Sequence, residues 1–365
     1  MSGISLKNIT KQFGDLTAVD AVTFDVADDE VLCLLGPSGC GKTTTLRMIA
    51  GLENATDGEI YLSGQDMTHL PARARNVAMA FQFYALYPNL TVSDNLAYPL
   101  HAEGDSSADI AAKLRDIAQV LQMDHVLDRF PHQLSEGEKQ RVSVGRCIIR
   151  RPNCFLFDEP LSRLDVQLRE EMRSDIKKVL SGLSRPTVIV THDQLEAMTM
   201  GDRIAVMRDG KVEQIGAPQD VFNNPANTFV AGFIGTPQMN LVSGIISGIG
   251  GAIAVSIGQD VIELTGELAQ PGHYLKLGDA VTLGMRPRSA SLESESGPRI
   301  LSGTCELIEP MGAETLLRIA HPAGQIRAIV TDRQGLNEGG TIHVRFAQGS
   351  YRLFHADGNR IGDTV

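Results

Sequence analysis

Eight residues constrain this chain more than any others. Gly36-Pro37-Ser38-Gly39-Cys40-Gly41-Lys42-Thr43 has the spacing G-x-x-x-x-G-K-[ST], and its flanks dictate the local fold. The preceding run, Val31-Leu32-Cys33-Leu34-Leu35, is unbroken and apolar, as a strand covered on both faces requires. The following residues, through Ala50, have few helix breakers and put Leu46, Ile49 and Ala50 on one helical face. Strand, glycine loop and helix in that order wrap a triphosphate. The glycines let backbone N–H groups turn toward phosphate oxygens, and the helix N-terminus adds its dipole. The phosphate-contacting set is Gly36, Pro37, Ser38, Gly39, Cys40, Gly41, Lys42, Thr43 and Thr44. Lys42 is expected on the β- and γ-phosphates and the Thr43 hydroxyl on Mg²⁺. An ordinary Gly/Ser connection is the alternative, and eight matching positions in a strand–helix frame weigh against it. The loop alone says only nucleoside triphosphate.

Composition narrows the use of that energy. The 365 residues are enough for two or three domains, and 42% hydrophobic content supports a sizeable core. A net charge of −11 lowers the prospect of a nucleic-acid surface, which needs clustered Lys and Arg; no nucleic-acid partner is expected. The five cysteines (Cys33, Cys40, Cys147, Cys154, Cys305) are odd in number and lack C-x-x-C spacing, as in a reduced, cytosolic protein. Met1 to Thr10 has no apolar signal core. Residues 236–259 carry no charge, but recurrent glycines make two strands joined at Gly250-Gly251 a better reading than a membrane span.

In chain order, Ile4-Ser5-Leu6 and Ala21 to Val26 suggest an antiparallel pair. Phe13, in the Lys11–Gly14 turn, can stack on a base or tuck into the core; both readings stay open. Thr56 to Leu62 reads as a turn into a strand, and Asn76 to Phe81 as a buried strand ending at Gln82. The carboxyl end of an α/β strand is where ligands are met, so Gln82 can orient water or a metal ion. Residues 88–150 look like a helical insert. Within it, Asp109 to Leu127 is expected to be helical, with Ile110, Leu114, Ile117, Val120 and Leu121 on one face. Ser135 is placed as an N-cap with Glu138 three residues on. That helix start can meet a phosphate, although without the other motifs a plain capped helix is the preferred reading. Asn153 to Phe157 reads as a buried strand leading to Asp158-Glu159. Asp158 would hold Mg²⁺ through water, and Glu159 would polarise the attacking water. Two adjacent carboxylates beside a triphosphate repel it unless a metal neutralises them. Thr187 to Thr191 is one more strand, ending at His192, either a structural histidine or a γ-phosphate contact.

The order of P-loop, Gln82, Leu134-Ser135-x-Gly137, Asp158-Glu159, Leu161 to Asp165 and His192 resembles that of the ABC transporter ATPases. The resemblance implies an α/β P-loop ATPase domain over residues 1–235 with a helical insert at about 88–150. It implies ATP and Mg²⁺, with Phe13 stacking on adenine, and Thr43, Gln82 and Asp158 around the metal. Glu159, His192 and Gln82 would be the catalytic set. Ser135, Gly137 and Glu138 would meet the γ-phosphate of a second copy, and Asp165 would communicate across a homodimer. Gln82 to Val92 and Phe233 to Asn240 resemble the ATPases of maltose-type carbohydrate importers. So does the tail, residues 236–365, with Gly284-Met285-Arg286-Pro287 in the usual place: an all-β, OB-type regulatory domain. Two permease subunits, an indirect periplasmic solute-binding protein and the cytoplasmic face of a bacterial inner membrane follow as expectations. A soluble ABC ATPase acting on DNA or ribosomes is the rival; a small-molecule kinase leaves Leu134 to Arg141 and His192 unexplained.

This chain departs from the family pattern at three positions. Glu136 stands where the family has Gly, and Glu138 where it has Gln. Each adds negative charge near the expected γ-phosphate, a repulsion of about 0.5–2 kcal/mol at roughly 8 Å, with Lys139 and Arg141 available to offset it. Arg288 stands where the tail's motif has an acidic residue. Cys40, inside the loop, is expected to be open to thiol alkylation that ATP prevents.

Overall fold

Strand β1 (Ser2–Phe13) turns back through Gly14, at φ +58°, into antiparallel β2 (Leu16–Ala27). Ile4, Leu6, Val22, Phe24 and Val26 all point into the core. The computed structural model describes residues 2–182, 184–248, 253–264, 275–331 and 335–361. It divides into two compact units, Met1–Gln219 and Asp220–Val365.

In the first unit, β3 (Val31–Leu35) leads to α1 (Lys42–Ala50), then β4 (Asp57–Leu62), β5 (Gln65–Asp66), α2 (Ala72–Arg75) and β6 (Val77–Ala80). Phe81 and Gln82 lie past the end of β6. The helical segment holds α3 (Val92–Glu103), α4 (Ser107–Val120) and α5 (Glu136–Ile148). The chain continues through β7 (Cys154–Asp158), α6 (Val166–Ser181), β8 (Thr187–Thr191), α7 (Gln194–Met200), β9 (Arg203–Arg208) and β10 (Lys211–Gly216). One sheet is antiparallel, in the order β2-β1-β4-β5. The other runs β10-β9-β3-β8-β7-β6 and is parallel except at β10. Every residue of β3, β7 and β8 is buried, which is why these strands read as continuous apolar runs. The two sheets share one core with α1, in which Ile4, Leu6 and Phe24 join Leu34, Leu46, Leu156 and Val190.

Helix α4 is shorter than the expected Asp109–Leu127. Ser106 caps its start by accepting from the Asp109 N–H, and the helix stops at Val120 because Gln122 adopts φ +54°. Ile110, Ile117 and Leu121 are buried, but Val120 is exposed and Leu114 only half-buried, so the inward face is narrower than its apolar pattern. No element of the described residues is a helix long and apolar enough to cross a membrane.

The second unit begins within α8 (Pro218–Asn223) and includes α9 (Thr228–Phe233), so the compact border precedes the expected domain border at 235. Helix α9 packs on the strands that follow: Ala231 clusters with Met239 and Phe354. Those strands are β11 (Asn240–Gly248), β12 (Ile253–Ile257), β13 (Asp260–Leu264), β14 (Ala280–Met285), β15 (Ala290–Glu293), β16 (Ile300–Met311), β17 (Glu314–His321), β18 (Gly324–Val330), β19 (Thr341–Phe346) and β20 (Tyr351–His355). They pair antiparallel in two sheets, β13-β12-β11-β14-β20 and β15-β19-β16-β17-β18, whose inner faces share one core. The strand reading of residues 241–257 holds; its Gly250-Gly251 joint lies outside the described residues. Arg288 forms an ion pair with Glu314. Arg286 stacks on the Phe222 ring, 4.0 Å from its centroid, and donates to the Phe222 carbonyl at 2.6 Å.

Arg75 sets the end of α1, the helix behind the glycine loop. It is only 1% exposed, and its guanidinium donates to the carbonyls of Met48 and Ile49 in the last turn of α1, and to those of Leu70 and Thr68. Gly51, at φ +73°, leaves room, since a Cβ there would lie 2.6 Å from Arg75 Nε. Arg75→Ala strands those buried carbonyls, so the first unit is expected to lose about 2–4 kcal/mol of stability. Urea unfolding of the full chain checks this; a loss below about 1 kcal/mol would contradict it.

Candidate active site

The glycine loop is shaped by close backbone approach. A Cβ on Gly36 would lie 2.4 Å from the Met207 carbonyl, and one on Gly41, at φ +100°, would lie 2.5 Å from that of Ala18. Gly41 precedes α1, and no side chain caps that helix, so its first-turn N–H groups are suited to anionic oxygens. Lys42 is 5% exposed. Its ammonium donates to the carbonyls of Gly36 at 2.7 Å and Pro37 at 2.9 Å, which hold it inside the loop. Pro37, Ser38 and Gly39 are exposed at the rim, and Thr44 is half-buried. Cys40 differs from its expectation. Its thiol is 3% exposed, packs in the core, and is pushed up by burial. Inside the loop its sulfur accepts a 3.7 Å contact from the Lys42 ammonium.

Across the loop, Thr43 Oγ1 donates to Asp158 Oδ1 at 2.9 Å. Burial pushes the Asp158 carboxyl up, while the Thr43 hydroxyl and the Arg47 charge pull it back. Two hard oxygen donors side by side suit Mg²⁺, which binds through one or two protein oxygens and completes its shell with phosphates and water. Among the described residues no group of three or more His, Cys, Asp or Glu forms an all-protein metal cage. The donor set therefore fits a metal that arrives with phosphate.

Glu159 is the convergence point. It follows β7 at φ +49°, a strained conformation for a non-glycine residue, and its N–H is fixed by the Val190 carbonyl at 2.9 Å. Its two carboxylate oxygens face different partners: Gln82 Nε2 donates to one at 3.0 Å, and His192 Nδ1 lies 3.1 Å from the other. The ends of β6, β7 and β8 thus bring Gln82, Glu159 and His192 onto one carboxylate. Spacing put each at a strand end; their mutual contact is a product of the sheet.

The turn bearing His192 has its own support. Thr191 Oγ1 donates to Glu196 at 2.6 Å and accepts the Asp193 N–H at 3.0 Å. Glu196 is 2% exposed, one of its oxygens has no hydrogen-bond partner, and burial pushes its carboxyl up to about 7. The nearby Asp193 adds to that rise, while the Thr191 bond, Arg173 and Arg169 oppose it.

Ser135 caps α5 reciprocally with Glu138. Ser135 Oγ accepts the Glu138 N–H, and Glu138 Oε2 accepts the Ser135 N–H at 2.7 Å and its hydroxyl at 2.8 Å. Burial opposes ionisation of Glu138, but the Ser135 bonds, Arg129 and His125 hold its carboxyl below the usual range. Glu136 turns elsewhere: Lys139 bonds it at 2.7 Å and the Tyr84 hydroxyl donates to it at 2.8 Å. Lys139 first, then Tyr84, keep that carboxyl low; burial and then Glu136 push the Tyr84 phenol up to about 12. Arg141 does not offset either charge, because it pairs with Asp175 at 2.9 Å. Gly137 is pressed by Leu168, whose Cδ2 would lie 2.5 Å from a Cβ there. The Leu168 N–H donates to Asp165, the cap of α6, at 3.0 Å, so Gly137 and Asp165 share one neighbour. Phe13 is 48% exposed, which removes the core reading, and Lys11 lies 4.7 Å from its ring centroid. The links through Tyr84, Leu168 and Glu196 carried no local sequence signal.

A family profile described as ABC transporter matches residues 19–162, and one described as TOBE domain matches residues 283–354. The trehalose/maltose import ATP-binding protein MalK of Thermococcus litoralis is 40% identical over 369 residues, spanning 97% of this chain and 98% of that protein. The sn-glycerol-3-phosphate import ATP-binding protein UgpC of Salmonella typhi is 40% identical over 366 residues, spanning 99% and 100%. A solved dimeric ATP-binding cassette in a post-hydrolysis state, bound to ADP and Pi, is 28% identical, with a TM-score of 0.54 over 59% of this chain and 98% of that one.

Because its folded value is raised, Glu196 favours its neutral form in the native state. Its stabilising contribution is complete below the ordinary glutamate value and is lost as pH rises through about 7. Glu196→Gln keeps an acceptor for Thr191 without the titration. The variant is expected to gain stability relative to the parent between pH 5 and pH 8, and a pH-independent difference in urea midpoints would refute this. Alkylation by a maleimide, followed by mass spectrometry, is expected to modify Cys40 slowly in the folded chain even without nucleotide; rapid modification would contradict its burial.

Proposed function

The chain belongs to the ABC transporter family, and from that premise we propose how this ATP-hydrolysing import subunit works and what it serves. The solute is a carbohydrate or related compound: a sugar, polyol, glycoside or glycerol conjugate. The relatives named for trehalose/maltose and sn-glycerol-3-phosphate import support that class. Nothing in the comparisons supports action on DNA or ribosomes, and the net charge of −11 argues against it.

The observation that carries the mechanism is the convergence of Gln82 and His192 on Glu159, beside the Thr43–Asp158 pair. ATP is bound by the backbone of residues 36–44 at the start of α1. Lys42 exchanges the carbonyls of Gly36 and Pro37 for β- and γ-phosphate oxygens. Mg²⁺, held by Thr43 and Asp158 with Gln82 beyond them, would supply charge neutralisation at the phosphates. Glu159 accepts the proton of the attacking water, and Gln82 orients that water. His192 holds the γ-phosphate once it is released from Glu159. Phe13 offers a partly exposed ring for the adenine. Ser135, Gly137 and Glu138 face the γ-phosphate of a second copy, Asp165 links the two halves, and two ATP molecules sit between them. Ionised Glu138 is spent on the Ser135 cap and Glu136 on Lys139, so the extra charge is partly neutralised before closure.

Closure of the homodimer drives two integral-membrane permease subunits, and the segment after Gln82 is their contact. A periplasmic solute-binding protein acts through the permeases. The subunit sits on the cytoplasmic face of a bacterial inner membrane as a peripheral partner. The unit ending at Gln219 is the nucleotide-binding domain, and the unit from Asp220 carries the OB-type regulatory domain. Glu159→Gln is expected to lower ATP turnover by about 10²-fold or more and to trap an ATP-bound dimer visible by light scattering. Turnover at the parent rate would remove Glu159 from the mechanism. Membranes purified with a tagged chain are expected to yield two multi-spanning permeases; recovery only with ribosomes or DNA would overturn the transport reading.

A further inference from the structure

Two turns carry the residues assigned to nucleotide sensing, and they hang from neighbouring parallel strands. The turn after β7 leads to Leu164 and Asp165; the turn after β8 holds His192 and Asp193. Arg169, in the first turn of α6, touches both. Its Nη1 donates to Asp193 Oδ2 at 3.2 Å, and its Nη2 donates to the Leu164 carbonyl at 2.9 Å. Its backbone N–H bonds the Asp165 carbonyl at 2.9 Å. Asp193 is committed on its other oxygen, where Oδ1 accepts the Glu196 N–H at 3.0 Å and caps α7. Its own N–H bonds Thr191 Oγ1, so His192 lies between two fixed residues. Leu164 is buried, and its N–H bonds the Leu161 carbonyl at 3.2 Å. A planar guanidinium can serve two acceptors in different directions at once, whereas an ammonium on a flexible stem cannot hold both geometries.

We infer that Arg169 is a positioning residue that locks the His192 turn to the Asp165 turn, so that both move together when a second copy closes on ATP. This rests on the functional reading above. Arg169 touches none of the loop residues 36–44 in any hydrogen bond found among the described residues, so its effect is on closure and not on nucleotide capture.

The test uses the full chain carrying Glu159→Gln, with ATP-dependent dimerisation followed by light scattering, and adds Arg169→Met or Arg169→Lys. Losing a charge-assisted bridge of this kind is expected to raise the ATP concentration for half-dimerisation on the order of tenfold in the Met variant. The Lys variant falls between Met and parent. ADP affinity of the monomer stays within about twofold of the parent, since Arg169 makes no hydrogen bond to residues 36–44 among the described residues and sites without shared partners act nearly independently. Arg169→Met alone lowers the maximal hydrolysis rate without a matching loss of ADP affinity. An unchanged half-dimerisation point would overturn the proposal. So would a shift paralleled by equal losses in ADP affinity and urea midpoint, which marks general loosening of the fold. Absence of any ATP-dependent dimer with Glu159→Gln alone would overturn the functional reading, and this proposal with it.

Discussion

The hydrogen-bonded register of β3, β7 and β8 places the glycine loop, the Asp158-Glu159 pair and the His192 turn. These parallel strands are buried at every position, so no functional side chain can project from their middles. Polar chemistry is displaced to their carboxyl edge, where the strands stop at Leu35, Asp158 and Thr191. Because all three ends lie on the same edge, the glycine loop, the Asp158-Glu159 pair and the His192 turn are neighbours. The positive φ of Glu159 is held by its bond to the Val190 carbonyl, so the strand beside it supports the strain.

The signature helix shows how local capping can redirect charge. Glu138 at the third position of α5 completes a reciprocal cap with Ser135, a role that an uncharged Gln side chain can also fill. Glu136 is drawn sideways by Lys139 and the Tyr84 hydroxyl. Neither carboxylate is left as an isolated charge, and Arg141, committed to Asp175, takes no part. The Tyr84 bond also joins the loop after Gln82 to the start of α5.

The second unit reaches stability by a different route. Its strands alternate inward and outward residues, as in β17 with its alternating buried positions, and two antiparallel sheets close over one apolar core. Arg286, read in the sequence as part of a family motif, fastens the preceding short helix through the face and carbonyl of Phe222. That contact and the Ala231–Met239–Phe354 cluster explain why the compact border comes at Gln219 rather than at the motif-based border after 235.

What depends on spacing was legible in the sequence. The phosphate loop, the apolar strands before Gly36 and Asp158, the Ser135 cap and the strand-rich tail all follow from neighbours within a few residues. What depends on side chains meeting across the fold was not. Gln82 reaches Glu159 from 77 residues away, and Tyr84 reaches Glu136 from 52. The apolar pattern through Val120 and Leu127 overstated α4, since a helix ends where backbone conformation changes, here at Gln122, and not where apolar residues run out. The exposure of Phe13, the burial of Cys40 and the direction of Glu136 were likewise set by what packs beside them. Sequence fixed which groups could carry the chemistry, because identity and local spacing determine backbone shape and charge. Only tertiary structure decided which groups touch, because hydrogen bonds and burial depend on distance in space, and distance along the chain does not determine it.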